Sequence, residues 1–192
     1  MVEGFRKYLE FRIEVSESEF KEIVKLLELK KVLKGEKLLH SGETCVHGYF
    51  VLKGCLRSYC ISNGKEYMMQ FAPEDWWIGD KNMLTKPDIS MVSIDAIEDS
   101  WVLQFDCDFY DNMEKIVPPF RYMMQELQQN NYRSLQKRIM TLISVSAEER
   151  YLLFVKTYPS LINRIPLQMI ASYLGITPQS LSRVRSKKNL TS

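Results

Sequence analysis

The stretch Leu167-Gln-Met-Ile-Ala-Ser-Tyr-Leu-Gly-Ile-Thr-Pro-Gln-Ser-Leu-Ser-Arg-Val-Arg-Ser186 reads as two short helices joined by a three-residue turn. Ile170 and Leu174 in the first helix, and Leu181 and Val184 in the second, recur at helical spacing, with Ile176 packing from the turn. Gly175 stands where the first helix must end at positive φ, a conformation glycine takes up without steric cost. Thr177 is a good cap for the second helix, and Pro178 sits at its first position, where the missing N–H costs nothing. Ala171 is small where two crossing helices must approach. In this order, these constraints specify a helix-turn-helix unit. With Thr177 at its start, the second helix offers Gln179, Ser180, Ser182, Arg183, Arg185 and Lys187, the expected contacts to base edges and phosphates in a major groove. From Arg183 onward, Arg183, Arg185, Lys187 and Lys188 meet no acidic side chain. A merely solvated hairpin with a basic end would have no need of the Gly-Ile-Thr-Pro turn.

Upstream, Ser146-Ala-Glu-Glu149 is a capping box that opens a supporting helix carrying Tyr151, Leu152, Val155 and Tyr158, which Pro159 ends. Before it, Pro118-Pro119 punctuates the chain and a long helix is predicted over 120–144. Phe120, Met124, Leu127 and Asn131 follow one another at heptad-like spacing, and Leu135, Ile139 and Leu142 continue the line with drift. At about 1.5 Å per residue such a helix spans roughly 37 Å, more than one small barrel can cover. It is expected to pair with its twin in a homodimer; the alternative is a helix lying flat on its own barrel.

The first 117 residues carry a different pattern. Ser16-Glu-Ser-Glu19 is another capping box, and Phe20, Ile23, Val24 and Leu27 behind it predict a helix over about 17–28. Short strand patterns then follow: Val32-Leu33, Lys37-Leu-Leu39, Tyr49-Phe-Val-Leu52, Cys55-Leu-Arg-Ser-Tyr-Cys-Ile61, Glu66-Tyr-Met-Met-Gln-Phe71, Trp76-Trp-Ile78, Met91-Val-Ser-Ile-Asp-Ala-Ile97 and Trp101-Val-Leu-Gln-Phe105. Asn63-Gly64 is the strongest hairpin signal. Short strands at near-regular spacing predict a sandwich or jelly-roll barrel. Asp106 is placed to cap a short helix over 109–115. The fold class is therefore α+β: a β jelly-roll over 1–117, a dimerisation helix over 118–145, and a helix-turn-helix lacking a full wing over 146–192.

Composition narrows the function. With 192 residues and a formal charge of only +2, any nucleic-acid contact must come from local clustering, which the C-terminal stretch supplies. No apolar run approaches the roughly 20 residues that span a bilayer, and the N-terminus lacks a signal-peptide apolar core, so a cytoplasmic protein is expected. Cys45, Cys55, Cys60 and Cys107 lack metal or redox spacing and read as free thiols. His40 and His47, the two histidines, cannot furnish a cupin-type metal site, and no nucleophile–base arrangement or phosphate-cradling glycine loop is present. Neither an enzyme nor a fixed cofactor is expected.

Over essentially its full length the chain resembles the Crp/Fnr family of bacterial transcription regulators. The Leu-Gly-Ile-Thr-Pro-Gln-Ser-Leu-Ser-Arg-Val-Arg segment is similar to the family's recognition unit, which implies that Arg183 reads a guanine and Gln179 a second base. The β-rich half resembles a cyclic-nucleotide-binding domain, with Lys53-Gly54 and Gly79-Asp80 at its recurrent glycine turns. The resemblance implies double-stranded DNA, a second copy of the chain and RNA polymerase as partners. In nucleotide-binding members an arginine clamps the cyclic phosphate; here Ser90-Met91 occupies that place, and the cations between Gly79 and Trp101 are Lys81 and Lys86. Loss of that charge-assisted pair costs roughly 1.5–3 kcal/mol, one to two decades of affinity. The expected effector is thus an unidentified small molecule, held by Met69, Phe71, Trp77, Gly79, Asp80, Ser90 and Met91; the alternative is a cyclic AMP-responsive regulator. At the C-terminus, Lys187-Lys-Asn-Leu-Thr-Ser192 is too short for the family's wing, which predicts fewer phosphate contacts.

Overall fold

The computed structural model describes residues 2–80 and 89–189, and of 187–189 the backbone only. Two four-stranded antiparallel sheets make a β-roll: one in the order β1-β8-β3-β6, the other β2-β7-β4-β5. The strands are β1 Glu28–Val32, β2 Lys37–Leu39, β3 Gly48–Lys53, β4 Leu56–Ser62, β5 Lys65–Ala72, β6 Trp77–Ile78, β7 Ser93–Ala96 and β8 Ser100–Phe105. Every strand pattern in the sequence finds a counterpart. The β4–β5 turn has Asn63 at φ 50° and Gly64 at φ 72°, the paired positive angles whose twist matches that of the flanking strands.

Seven helices occur among the described residues: α1 Val2–Glu10, α2 Glu17–Val24, α3 Phe109–Ile116, α4 Phe120–Ser144, α5 Ala147–Thr157, α6 Leu167–Leu174 and α7 Pro178–Asn189. Helix α1 has no counterpart in the sequence reading. Phe5, Tyr8 and Leu9 share one face and are buried, with Phe5 and Tyr8 edge-on to Phe50 at 4.9 and 4.7 Å. Helix α2 is capped as predicted, the Ser16 N–H donating to the Glu19 carboxylate at 2.7 Å. It ends earlier than predicted, because residues 25–27 tighten into i→i+3 turns and Glu28 is captured by β8. Asp106 does not cap α3 directly: its carboxylate accepts the Asp108 N–H at 3.1 Å, a turn that leads into a helix beginning after Asp108.

The long helix runs over the predicted residues, but its first turns do not form an open seam. Phe120, Met123 and Met124 are buried in the core of the β-roll, with Leu127 packed against that core. Phe120 and Met124, expected to face a partner, are thus used within the chain. Ser146 caps α5 through a second reciprocal box with Glu149. A separate core joins Cys55, Tyr59, Met68, Phe71 and Ile97 on the outer face of the β4–β5 side to Tyr151, Phe154, Leu161, Ile170, Ala171, Leu174 and Leu181 of the C-terminal helices. Among the described residues no helix is long and apolar enough to cross a membrane.

Candidate nucleic-acid interface and effector cavity

Helix α6 ends at Gly175, whose φ of 65° lets the Ile176 N–H return to the Ala171 carbonyl and the Gly175 N–H to that of Ser172. Those two bonds satisfy carbonyls that the helix itself leaves open. Arg150 takes the Leu174 carbonyl at 2.9 Å, fixing the same turn from α5. Thr177 Oγ1 then accepts the Ser180 N–H at 3.1 Å and so starts α7. Leu181 is wholly buried and Val184 partly so, turning the opposite face outward.

On that outward face Gln179, Ser182 and Arg183 are exposed, while Arg185 is half-buried. Two of the expected contact residues have local duties: Thr177 is the cap, and the Ser180 hydroxyl lies 3.0 Å from that of Thr177. The Lys187 side chain lies outside the described residues. What α7 presents is a short polar and cationic face with one amide, one hydroxyl and a free guanidinium. It is a face with the chemistry of base-edge and phosphate contacts.

The expected effector residues do not converge. A cavity of about 340 Å³ opens between α1, the 75–80 segment and α4, and Trp77, Gly79 and Asp80 line it. Tyr8, Arg12, Gln70, Asp75, Gln128 and Asn131 complete its polar lining, and the sequence reading had not grouped them. Met69, Phe71 and Met91 are elsewhere. A β-bulge is the reason: Ser58 pairs with Gln70 but Tyr59 with Met68, leaving Met69 as the extra residue. Gln70 thereby faces the cavity, Met69 is 44% exposed, and Phe71 is buried on the opposite face against Phe154 and Tyr173. Met91 is 81% exposed. Ser90, though buried, is not in the lining; its hydroxyl donates to Asp80 at 2.6 Å. Lys81 and Lys86 lie outside the described residues.

Within the cavity wall the Trp77 indole N–H donates to the Tyr8 hydroxyl at 2.8 Å, and the Arg12 guanidinium stacks on the Tyr8 ring at 3.8 Å. Burial raises the Tyr8 pKa, partly offset by that indole donation; burial likewise raises Asp75, and the nearby Arg12 charge counters it. The described lining thus brings Arg12, Asp75 and Asp80 together with aromatic walls and three carboxamides. Such a lining has the chemistry to suit a small polar molecule with a flat apolar part better than a bare phosphate. Among the described residues no group of His, Cys, Asp and Glu could hold a metal ion.

A sequence profile of the cyclic nucleotide-binding domain matches residues 29–114. The regulatory protein HlyX of Actinobacillus pleuropneumoniae is 27% identical over 183 residues, covering 88% of this chain and 75% of that protein. The transcriptional activator protein FnrA of Stutzerimonas stutzeri is 24% identical over 163 residues, covering 79% and 66%. These likenesses support a transcription regulator of the Crp/Fnr type. The structure of FixK2 from Bradyrhizobium japonicum shares the fold, with a TM-score of 0.74 at 20% identity over 86% of this chain and 85% of that one. Those relatives are named as regulators and not as enzymes, and a DNA-binding transcription regulator is the role they support for this chain. That role agrees with both features described above, a β-roll followed by a long helix and a helix-turn-helix with a free polar face.

Proposed function

We propose that the protein works as a homodimer that reads an inverted-repeat DNA site through α7 and answers to a small molecule held in the cavity. The observation that carries the dimer is the lower half of α4. Tyr132, Leu135, Ile139 and Leu142, spaced 3, 4 and 3, are between 36% and 60% exposed, an apolar line at coiled-coil spacing left partly open in the monomer. Pairing along it would give the assembly two copies of α7, as an inverted repeat with half-sites about one helical turn apart requires. The division of labour is then a sensing β-roll over 1–117, a pairing helix over 118–145 and a reading unit over 146–192. Arg183 and Gln179 are the base readers, with Ser182, Arg185 and Lys187 on the phosphates. Bound to its site in the cytoplasm, the dimer would act on RNA polymerase.

Selection from a random duplex pool with the full-length protein at low salt tests this reading. Enrichment of an inverted repeat with half-sites one turn apart is expected. Enrichment of a single half-site, or of no sequence, would remove the dimeric reading. Adding native cell extract separates a missing effector from a missing activity.

A further inference from the structure

The helix-turn-helix covers an edge of the β-roll. Strand β5 ends its sheet among the described residues, so one side of its backbone has no strand neighbour there and would otherwise invite foreign strands. Ser172 of α6 takes up two of these free groups, accepting the Met68 N–H at 3.1 Å and donating to the Glu66 carbonyl at 3.0 Å. At the bulge, the Met68 and Met69 carbonyls receive the Arg138 guanidinium from α4 at 2.8 and 2.6 Å, and the same group donates to the Tyr173 carbonyl of α6 at 3.1 Å. That guanidinium also lies 3.8 Å from the Tyr173 ring centre, and no carboxylate is paired with it among the described residues. Its buried Nε has no acceptor there either, a desolvation cost that a group kept only for stability would avoid.

A second arginine closes the other end. Arg164, between α5 and α6, forks onto Glu74 at 2.9 and 2.8 Å and also reaches Glu98, while Glu74 accepts the Gly54 N–H at 2.9 Å. Between the two arginines Phe71 and Trp76 meet Phe154 and Tyr158 ring to ring at 6.2 and 5.7 Å. None of this covers the reading face, since Gln179, Ser182 and Arg183 stay exposed. The dock therefore does not block DNA; it fixes where α7 points.

We propose that Arg138 and Arg164 are positioning residues for DNA reading, two clasps that hold the helix-turn-helix on β5 and pre-set the attitude of α7. A reading unit already oriented loses less freedom on binding, which is how preorganisation raises affinity. The dock also borders the effector cavity: Gln70, Trp76 and Trp77 line the cavity, while Glu74 and Trp76 touch the helix-turn-helix. The proposal rests on α7 being the recognition helix.

Its test is amide hydrogen exchange of the full chain, wild type against Arg138→Gln, Arg138→Lys and Arg164→Gln, with DNA titrations on the site that the wild type enriches. Both glutamine variants are expected to speed exchange at least tenfold at 66–72 and 167–176, leaving β3 and β8 protected, and to weaken DNA binding about tenfold with the preferred sequence unchanged. Arg138→Lys, which keeps the charge but not the fork, is expected to fall between. Unchanged exchange at 66–72 and 167–176 overturns the dock. Faster exchange spread through β3 and β8 reduces the arginines to a general stabilising role and also overturns it. Local opening with unchanged or tighter DNA binding overturns the positioning claim. A wild-type chain that enriches no DNA overturns the reading of α7 instead, and the exchange data, taken without DNA, tell the two failures apart.

Discussion

Arg183 is exposed on α7 and has no ion-pair partner among the described residues, so its guanidinium is free to fork onto a base edge or a phosphate. Arg183→Ala is expected to relax preference at one base position, at about 1–3 kcal/mol per half-site. Affinities for a panel of single-base site variants measure this; uniform weakening across the panel would make Arg183 a phosphate contact. Gly175 tests the turn rather than the reading face. An alanine there would hold φ near 65° and set its Cβ 3.1 Å from Leu142 Cδ2. Gly175→Ala should therefore cost about 1–2 kcal/mol, from the left-handed backbone alone, and lower the melting temperature. Both residues stood out in the sequence, because a reading arginine and a helix-ending glycine are set by their immediate neighbours. Ser180 did not sort itself in this way: it looked like a contact residue, and its hydroxyl is occupied by the cap.

Several elements are held at their ends by carboxylates whose acidity the fold has changed. Hydrogen bonds from Ser16 and Ser146 lower the pKa of Glu19 and Glu149. For Glu74 burial is the largest influence and pushes upward, but the hydrogen bonds from Arg164, those from the Glu74 and Gly54 N–H groups and the Arg164 charge together outweigh it, and the net shift is downward. A carboxylate held below its unfolded value contributes stability at pH above that value, about 4.3 for Glu, and loses it as pH falls toward the folded value. Melting temperature followed from pH 7 to pH 3 should thus be flat at first and drop below about pH 4.5. Glu74→Gln should make the drop shallower; an identical curve would remove Glu74 from the account. At α4 the prediction concerns association. Ile139 is 49% exposed on the apolar line, so Ile139→Glu should leave the β-roll folded and turn the proposed dimer into monomer, seen by sedimentation. If the sedimentation coefficient is unchanged, copies do not pair along this line.

For the whole molecule, the question is what fills the cavity. The guanidinium in its described lining, Arg12, comes from just beyond α1, and Ser90 spends its hydroxyl on Asp80. Calorimetry with cyclic AMP at micromolar concentration is expected to give no heat of binding; a clear isotherm would reinstate the nucleotide reading. The sequence by itself determined the element order from α2 onward, the two capping boxes, the Asn63-Gly64 hairpin, the extent of α4 and the helix-turn-helix. Each of these is written in residues within a turn or two of one another, where sterics and backbone hydrogen bonding decide. Only the tertiary structure decided what each face meets. The bulge at Met69 turns Phe71 away from the cavity, α1 walls that cavity, and Phe120 and Met124 sink into their own β-roll. Arg138 grips carbonyls 69 and 70 positions away, and Ser172 one 106 away. Periodicity tells that a face is apolar or an edge is open; it carries no record of which distant segment comes to cover it.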